Sequence, residues 1–174
     1  MQKSTNNYKP DSCESCGQTK TYVLGLDRGT IDIVKSICVA IRKKGINCIH
    51  PRKEMEVATR SKPDYQYLVT NGQLTSNQIN NLSRPRFHGL IASVDDKPGN
   101  YCLTNKGLAF LKGQPVPRFA IISKAESKLE GYWHPDEHSV VIGDFKPDTE
   151  YWEGCNYEIR EGVVVKLESV GKLF

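Results

Sequence analysis

The run Phe87-His88-Gly89-Leu90-Ile91, a turn at Asp95-Asp96-Lys97-Pro98-Gly99, and then Tyr101-Cys102-Leu103-Thr104-Asn105-Lys106-Gly107-Leu108-Ala109-Phe110-Leu111 decides the fold. The first piece leads into a strand. Asp, Pro and Gly gathered in five residues favour a chain reversal, because each lowers the cost of a turn conformation in its own way. Asn100 to Leu103 then returns as a second strand. Thr104 carries the short hydroxyl that caps a helix, and Leu108, Phe110 and Leu111 extend that helix to Gly113. The expectation is a hairpin closed by a helix.

Working toward the N-terminus, Leu74 to Leu82 reads as a short helix with a capping Thr75. Its apolar residues are Leu74, Ile79 and Leu82, and its outer face is polar. Pro85 is expected to kink or end it. The polar stretch 59–72 holds Pro63 and an Asn71-Gly72 turn, and reads as an irregular insertion or as a strand over Tyr65 to Val69. Residues 52–58 read as a second short helix behind Pro51. From Asp27, apolar Ile31, Val34, Ile37, Cys38 and Ile41 recur at helical spacing. Asp27 or Thr30 caps this helix, and Arg42, Lys43, Lys44 and Gly45 close it as the helix dipole prefers. Thr21 to Leu24 reads as a strand.

Toward the C-terminus, Gln114 to Pro117 is a linker with two prolines. Arg118–Ser123, Ser139–Ile142 and Gly162–Leu167 read as strands. The fold class is α+β. It divides into a tail with a cysteine turn (1–26), a helical domain containing the hairpin (27–113) and a small β-rich acidic module (114–174).

The order helix, short helix, polar helix, hairpin, helix resembles the winged helix-turn-helix family. In that family a Gly-Leu-Ile strand, a wing turn and a Leu-Thr-x-Lys-Gly helix start recur in sequence, as they do here at Gly89-Leu90-Ile91 and Leu103-Thr104-Asn105-Lys106-Gly107. The resemblance covers about residues 27–113 and is closest over 86–112. It implies double-stranded DNA as the partner. The chain is also similar to small phage and mobile-element proteins that join a Cys-x-x-Cys-Gly knuckle to a winged helix, here through Cys13, Cys16 and Gly17. That resemblance implies a phage-type origin. The polar stretch Met1 to Pro10 lacks the apolar run of a secretory signal, so the expected compartment is the cytoplasm, the host's if the chain is phage-encoded.

The residue chemistry agrees with a reading surface. Ser76, Asn77, Asn80 and Asn81 offer hydroxyl and amide groups, and asparagine can pair bidentately with adenine. Arg84, Arg86 and, at the hairpin tip, Lys97 offer charge to guanine or phosphate. Residues 1–113 carry 17 Lys+Arg against 9 Asp+Glu, a balance of +8, whereas residues 114–174 carry 7 against 11, a balance of −4. Such asymmetry sets a basic region toward a polyanion. The expected function is thus a DNA-binding regulator or accessory factor in transcription, without catalysis.

A second class is a protein-docking module, for example an inhibitor, that engages a host or phage enzyme through the acidic C-terminal part. A third and weaker one is a metal-dependent nuclease using Asp136, Glu137, Asp144, Asp148, Glu150 or Glu153. No phosphate loop, dinucleotide fingerprint, zincin motif or nucleophile elbow occurs. No apolar run approaches the roughly 20 residues that span a bilayer, so no membrane partner is expected.

Cys13-x-x-Cys16-Gly17 has the spacing of a zinc knuckle, yet a structural zinc takes four ligands. Cys48 with His50, or His134 with His138, can complete the set. Reduced thiols without metal and a redox pair stand beside zinc as readings of Cys13 and Cys16. Cys38, Cys48, Cys102 and Cys155 are expected to be reduced residues of the core, and His50 and His88 hydrogen-bonded structural histidines.

Overall fold

The computed structural model describes residues 12–58 and 61–133, together with strand backbones at 139–140, 157–160 and 163–166. In chain order the elements are β1 (Thr21–Gly25), α1 (Arg28–Lys44), α2 (Pro51–Glu54), β2 (Glu56–Val57), α3 (Tyr65–Asn71), β3 (Leu74–Thr75) and α4 (Ser76–Asn80). They continue as α5 (Ser83–Phe87), β4 (Ile91–Ser93), β5 (Tyr101–Leu103), α6 (Asn105–Leu111), β6 (Val116–Pro117), β7 (Phe119–Ser123), β8 (Lys128–Trp133), β9 (Ser139–Val140), β10 (Tyr157–Arg160) and β11 (Val163–Lys166). The architecture is mixed α+β.

Helix α1 is the axis of the molecule. The Asp27 carboxylate accepts from the Thr30 amide at 2.8 Å, and Gly45 closes the far end in a left-handed conformation. The apolar spacing predicts one buried face, but every residue from Thr30 to Ala40 is buried, Asp32, Lys35 and Ser36 included. The reason is tertiary. Helix α3 lies along one side of α1, while α5, β5 and β11 approach it from others. Ile31, Val34, Ile37 and Cys38 lead the main core, which also takes in Ile49, Leu74, Leu90, Ile91 and Phe110.

Residues 65–71 form a helix, where the sequence reading expected an irregular segment or a strand. Asp64 caps it by accepting from the Tyr67 amide at 3.1 Å. Tyr and Val favour strands only weakly, and here Leu68 and Val69 bury themselves against α1 instead. Gly72 ends α3 at φ 64°. A Cβ there would sit 2.8 Å from the Ala40 amide nitrogen, so the two helices meet closely at that point.

The polar helix is shorter than expected. Thr75 and Gln78 form a reciprocal capping box at the start of α4, which finishes at Asn80. Pro85 therefore does not terminate it. It occupies the first turn of α5, where a backbone N–H would have no intrahelical acceptor and its loss costs nothing.

Hairpin β4–β5 pairs Ile91 with Leu103 and Ser93 with Tyr101. Ile49 adds a bridge on the other edge of β5, with reciprocal bonds to Tyr101 of 2.9 and 2.8 Å. The spatial order is thus Ile49, β5, β4. Thr104 caps α6 by accepting from the Gly107 amide at 3.0 Å and donates to the Gly89 carbonyl.

A three-stranded antiparallel sheet runs in the order β1–β7–β8. Thr21 faces Ser123 at one end, and Gly25 faces Phe119 at the other. A strand from the first segment is thus hydrogen-bonded to one that follows the hairpin domain. The expected Gln114–Pro117 linker is partly a strand as well, because β6 pairs with β9. Its backbone groups find partners there.

Candidate nucleic-acid interface

The seven residues expected to read DNA fall into distinct neighbourhoods. Asn77, Asn80, Arg86 and Lys97 are exposed, and Ser76, Asn81 and Arg84 are half-buried. Asn77, Asn81 and Arg84 line a groove of about 400 Å³ against the start of α1, with Asp27, Asp32 and Tyr65 on its other walls. Arg84 donates to Asp27 at 2.7 Å, so its charge is already matched. Asn81 donates back to the Asn77 carbonyl at 2.8 Å.

Ser76 and Asn80 face the opposite way, Ser76 toward β2 and Asn80 toward α2. Ser76 donates to Glu56 at 2.7 Å, and Arg52 reaches both Glu56 at 3.4 Å and the Asn80 side-chain oxygen at 2.9 Å. Helix α2 also meets the hairpin loop: its capping residue His50 abuts Gly99, where a Cβ would lie 3.0 Å from the imidazole Cδ2. Glu54 of α2 pairs with Lys44 at 3.3 Å and accepts from the His50 amide at 2.8 Å. These bonds hold the Glu54 carboxyl below its ordinary range, the His50 amide contributing most.

A continuous strip results. It runs from exposed Arg42, Lys43 and Lys44 at the end of α1, through Arg52 and Lys53 on α2, to Asn80 on one side and Lys97 on the other. Its cations number six, against Glu54, Glu56, Asp95 and Asp96. Arg52 and Lys53 were missed by the sequence reading. The signal was the Pro51-Arg52-Lys53 start of a helix, which is ordinary for any surface helix. The Lys and Arg residues at 42–44 read simply as dipole-matched helix ends.

Compared with known proteins, the chain matches no family model, no curated sequence and no solved structure. Its chemistry rests on geometry.

Arg86 stacks on the Phe87 ring at 4.9 Å, on the outside of α5. Behind it lies a buried polar cluster. His88 is only 2% exposed, and its Nε2 faces no hydrogen-bond partner among the described residues. Burial, then the neighbouring Lys106 charge, pushes its pKa down to about 4, so it is neutral at physiological pH. Lys106 donates to the Tyr132 hydroxyl and lies 4.5 Å from that ring's centre. This cluster joins α5, α6 and β8.

Asp27 links the groove to the fold, since it caps α1 and holds Arg84. Asp27→Ala is expected to cost about 1–2 kcal/mol, nearly all of it from the lost cap. The ion pair adds little because Arg84 and Asp27 are 42% and 47% exposed. Urea denaturation of Asp27→Asn, which keeps a capping oxygen and drops the charge, should recover most of the loss. A loss as large as alanine's would mean that the charge, not the cap, matters.

Cys13 and Cys16 form an exposed turn. The Gly17 amide donates to the Cys13 carbonyl at 2.8 Å, the Cys13 amide to Gln18 at 2.7 Å, and Ser12 bridges Thr19. Amides of Cys16 and Ser15 approach the Cys13 sulfur and lower its thiol to about 7, with help from the Cys16 side chain. Cys48 and His50 do not join the pair: among the described residues no group of three His, Cys, Asp or Glu is gathered. Cys38 is buried, whereas Cys48 and Cys102 are only half-buried, because they sit on the hairpin layer's outer side.

The proposed nuclease carboxylates, Asp136, Glu137, Asp144, Asp148, Glu150 and Glu153, lie outside the described residues, as do His134, His138 and Cys155. Trp133 packs its ring 5.3 Å from that of Phe119. No described helix is long and apolar enough to cross a membrane.

Proposed function

We propose that the chain is a DNA-binding regulator or accessory factor built on a winged helix, acting without catalysis. The observation that carries this reading is the strip that joins α4, α2 and the exposed hairpin loop 95–99. The Ile49 bridge to β5 supports it, since it ties the hairpin to the segment that leads into α2. Phosphate contact falls to Arg52, Lys53, Lys97 and the basic end of α1, with Arg86 as an outlying cation. Asn80 offers its amide to base edges, while Asn77 faces the groove beside α1. Arg84 keeps a positioning role through Asp27.

Fluorescence anisotropy with a labelled duplex across salt concentrations tests the proposal. The triple variant Arg52→Ala, Lys53→Ala, Lys97→Ala should lose about tenfold or more in affinity. Its salt slope should flatten by roughly one unit for each phosphate that goes unneutralised. Arg84→Ala should change both far less. Equal slopes in the triple variant and the parent would remove the strip from the interface.

The exposed acids Asp95 and Asp96 at the loop tip favour a second reading, a module that docks on a basic protein surface. Under that reading duplex binding is absent, and Asp95→Lys with Asp96→Lys abolishes partner capture. Under the DNA reading the same double change tightens duplex binding.

A further inference from the structure

We infer that Cys13 and Cys16 form half of a tetrahedral zinc site whose other half is the same pair in a second copy of this chain. The turn is suited to metal without further folding. The Gly17 amide closes the turn on the Cys13 carbonyl at 2.8 Å, the Cys13 amide donates to the Gln18 carbonyl at 2.7 Å, and the Ser12–Thr19 bridge locks the hairpin behind both thiols. Cys16 is exposed and Cys13 half-buried, so a partner can reach both. Zinc in a structural site takes four ligands, and each turn offers two.

The topology argues against completion from the nearest alternatives. The turn precedes Thr21, which pairs with Ser123 at one end of the β1–β7–β8 sheet. Trp133 and Ser139, the described residues flanking the His134–His138 segment, pair with Phe119 and Pro117 at the opposite end. That separation is roughly 13 Å along β1 alone, at about 3.3 Å per residue. Cys48 and His50 are described and stand apart from the turn. Two identical hairpin tips meeting on a two-fold axis supply a four-thiolate shell with no other residue required. Four thiols lose their protons to the solvent as one zinc ion takes four sulfurs.

The test uses the full chain, reduced and then titrated with zinc or cobalt. Expected are half an equivalent of metal per chain, a cobalt spectrum with the strong charge-transfer bands of four thiolates, and a doubling of mass by light scattering that chelator reverses. Cys13→Ser with Cys16→Ser should abolish metal uptake and dimer alike while leaving the circular dichroism of the fold unchanged. Cys102→Ser, a control thiol in β5, should alter neither. One metal per monomer would overturn the inference by showing that the site closes within a chain, through Cys155 or the histidines. Absence of uptake, or a dimer indifferent to chelator, would overturn it equally.

Discussion

Gly107→Ala is expected to destabilise the protein by about 3 kcal/mol, against the direction that helix propensity predicts. Alanine exceeds glycine by about 1 kcal/mol inside a helix, so an exposed site in α6 would gain from this change. Position 107 is not such a site. It is buried, and an added Cβ would lie 3.0 Å from the Leu90 carbonyl carbon, 3.2 Å from its Cα and closer still to its oxygen. That oxygen also accepts the Thr104 amide at 3.2 Å, and Leu90 itself is fully buried. Relief therefore moves backbone rather than a side-chain tip. Overpacking costs about 1–3 kcal/mol, and weakening the bond beside it adds about 1. For a chain of this size a 3 kcal/mol loss lowers Tm by roughly 6–12 °C. Gly29→Ala in the first turn of α1 provides the contrast, since its Cβ would meet only Asp27 Oδ1, at an ordinary 3.6 Å. It should be neutral or stabilising by up to about 1 kcal/mol. Paired thermal melts decide the matter: a rise in Tm for Gly107→Ala would mean that α6 does not press on Leu90.

The second large effect is an acid sensitivity centred on His88. Its pKa falls from an ordinary 6.5 to about 4 in the folded chain, through burial first and the Lys106 charge second, with Asp27 and a Gly25 backbone hydrogen bond opposing. The unfolded chain takes up a proton near pH 6.5, and the folded chain resists until about pH 4. Stability from this group is fully present above pH 6.5 and declines as pH falls, levelling out below about 4. A gap of this size corresponds to about 3 kcal/mol at its limit. Carboxylates lose stability in the same range, so the readout is a difference. Unfolding free energies at pH 7.5, 6, 5 and 4 should converge between the parent and His88→Asn as pH drops, because only the parent carries the histidine penalty. Parallel curves would place the His88 ring in contact with water.

Much of the local structure was legible. The α1 cap at Asp27, its glycine stop, the Thr75 and Thr104 caps and the Asp95–Gly99 turn each depend on residues within a few positions of one another. A hydroxyl three residues before an amide, or a glycine after a basic turn, acts whatever surrounds it. The segment 65–71 was not legible, because Leu68 and Val69 suit a strand or a helix equally until α1 offers its side. Of the candidate interface, the residue types were readable and their grouping was not. Ser76 turns to β2 and Asn80 to α2, while Asn77, Asn81 and Arg84 turn to α1.

The chain's own order of residues settled both ends of α1, the starts of α4 and α6, which hairpin forms and which thiols are paired in a turn, since those outcomes depend on short-range bonding. Tertiary packing alone decided that Arg84 is matched by Asp27, 57 positions away, and that His88 is sealed from water. It also decided that β1 joins β7 across the whole helical region. Charge partners and burial depend on which surfaces meet, and local periodicity carries no record of that meeting.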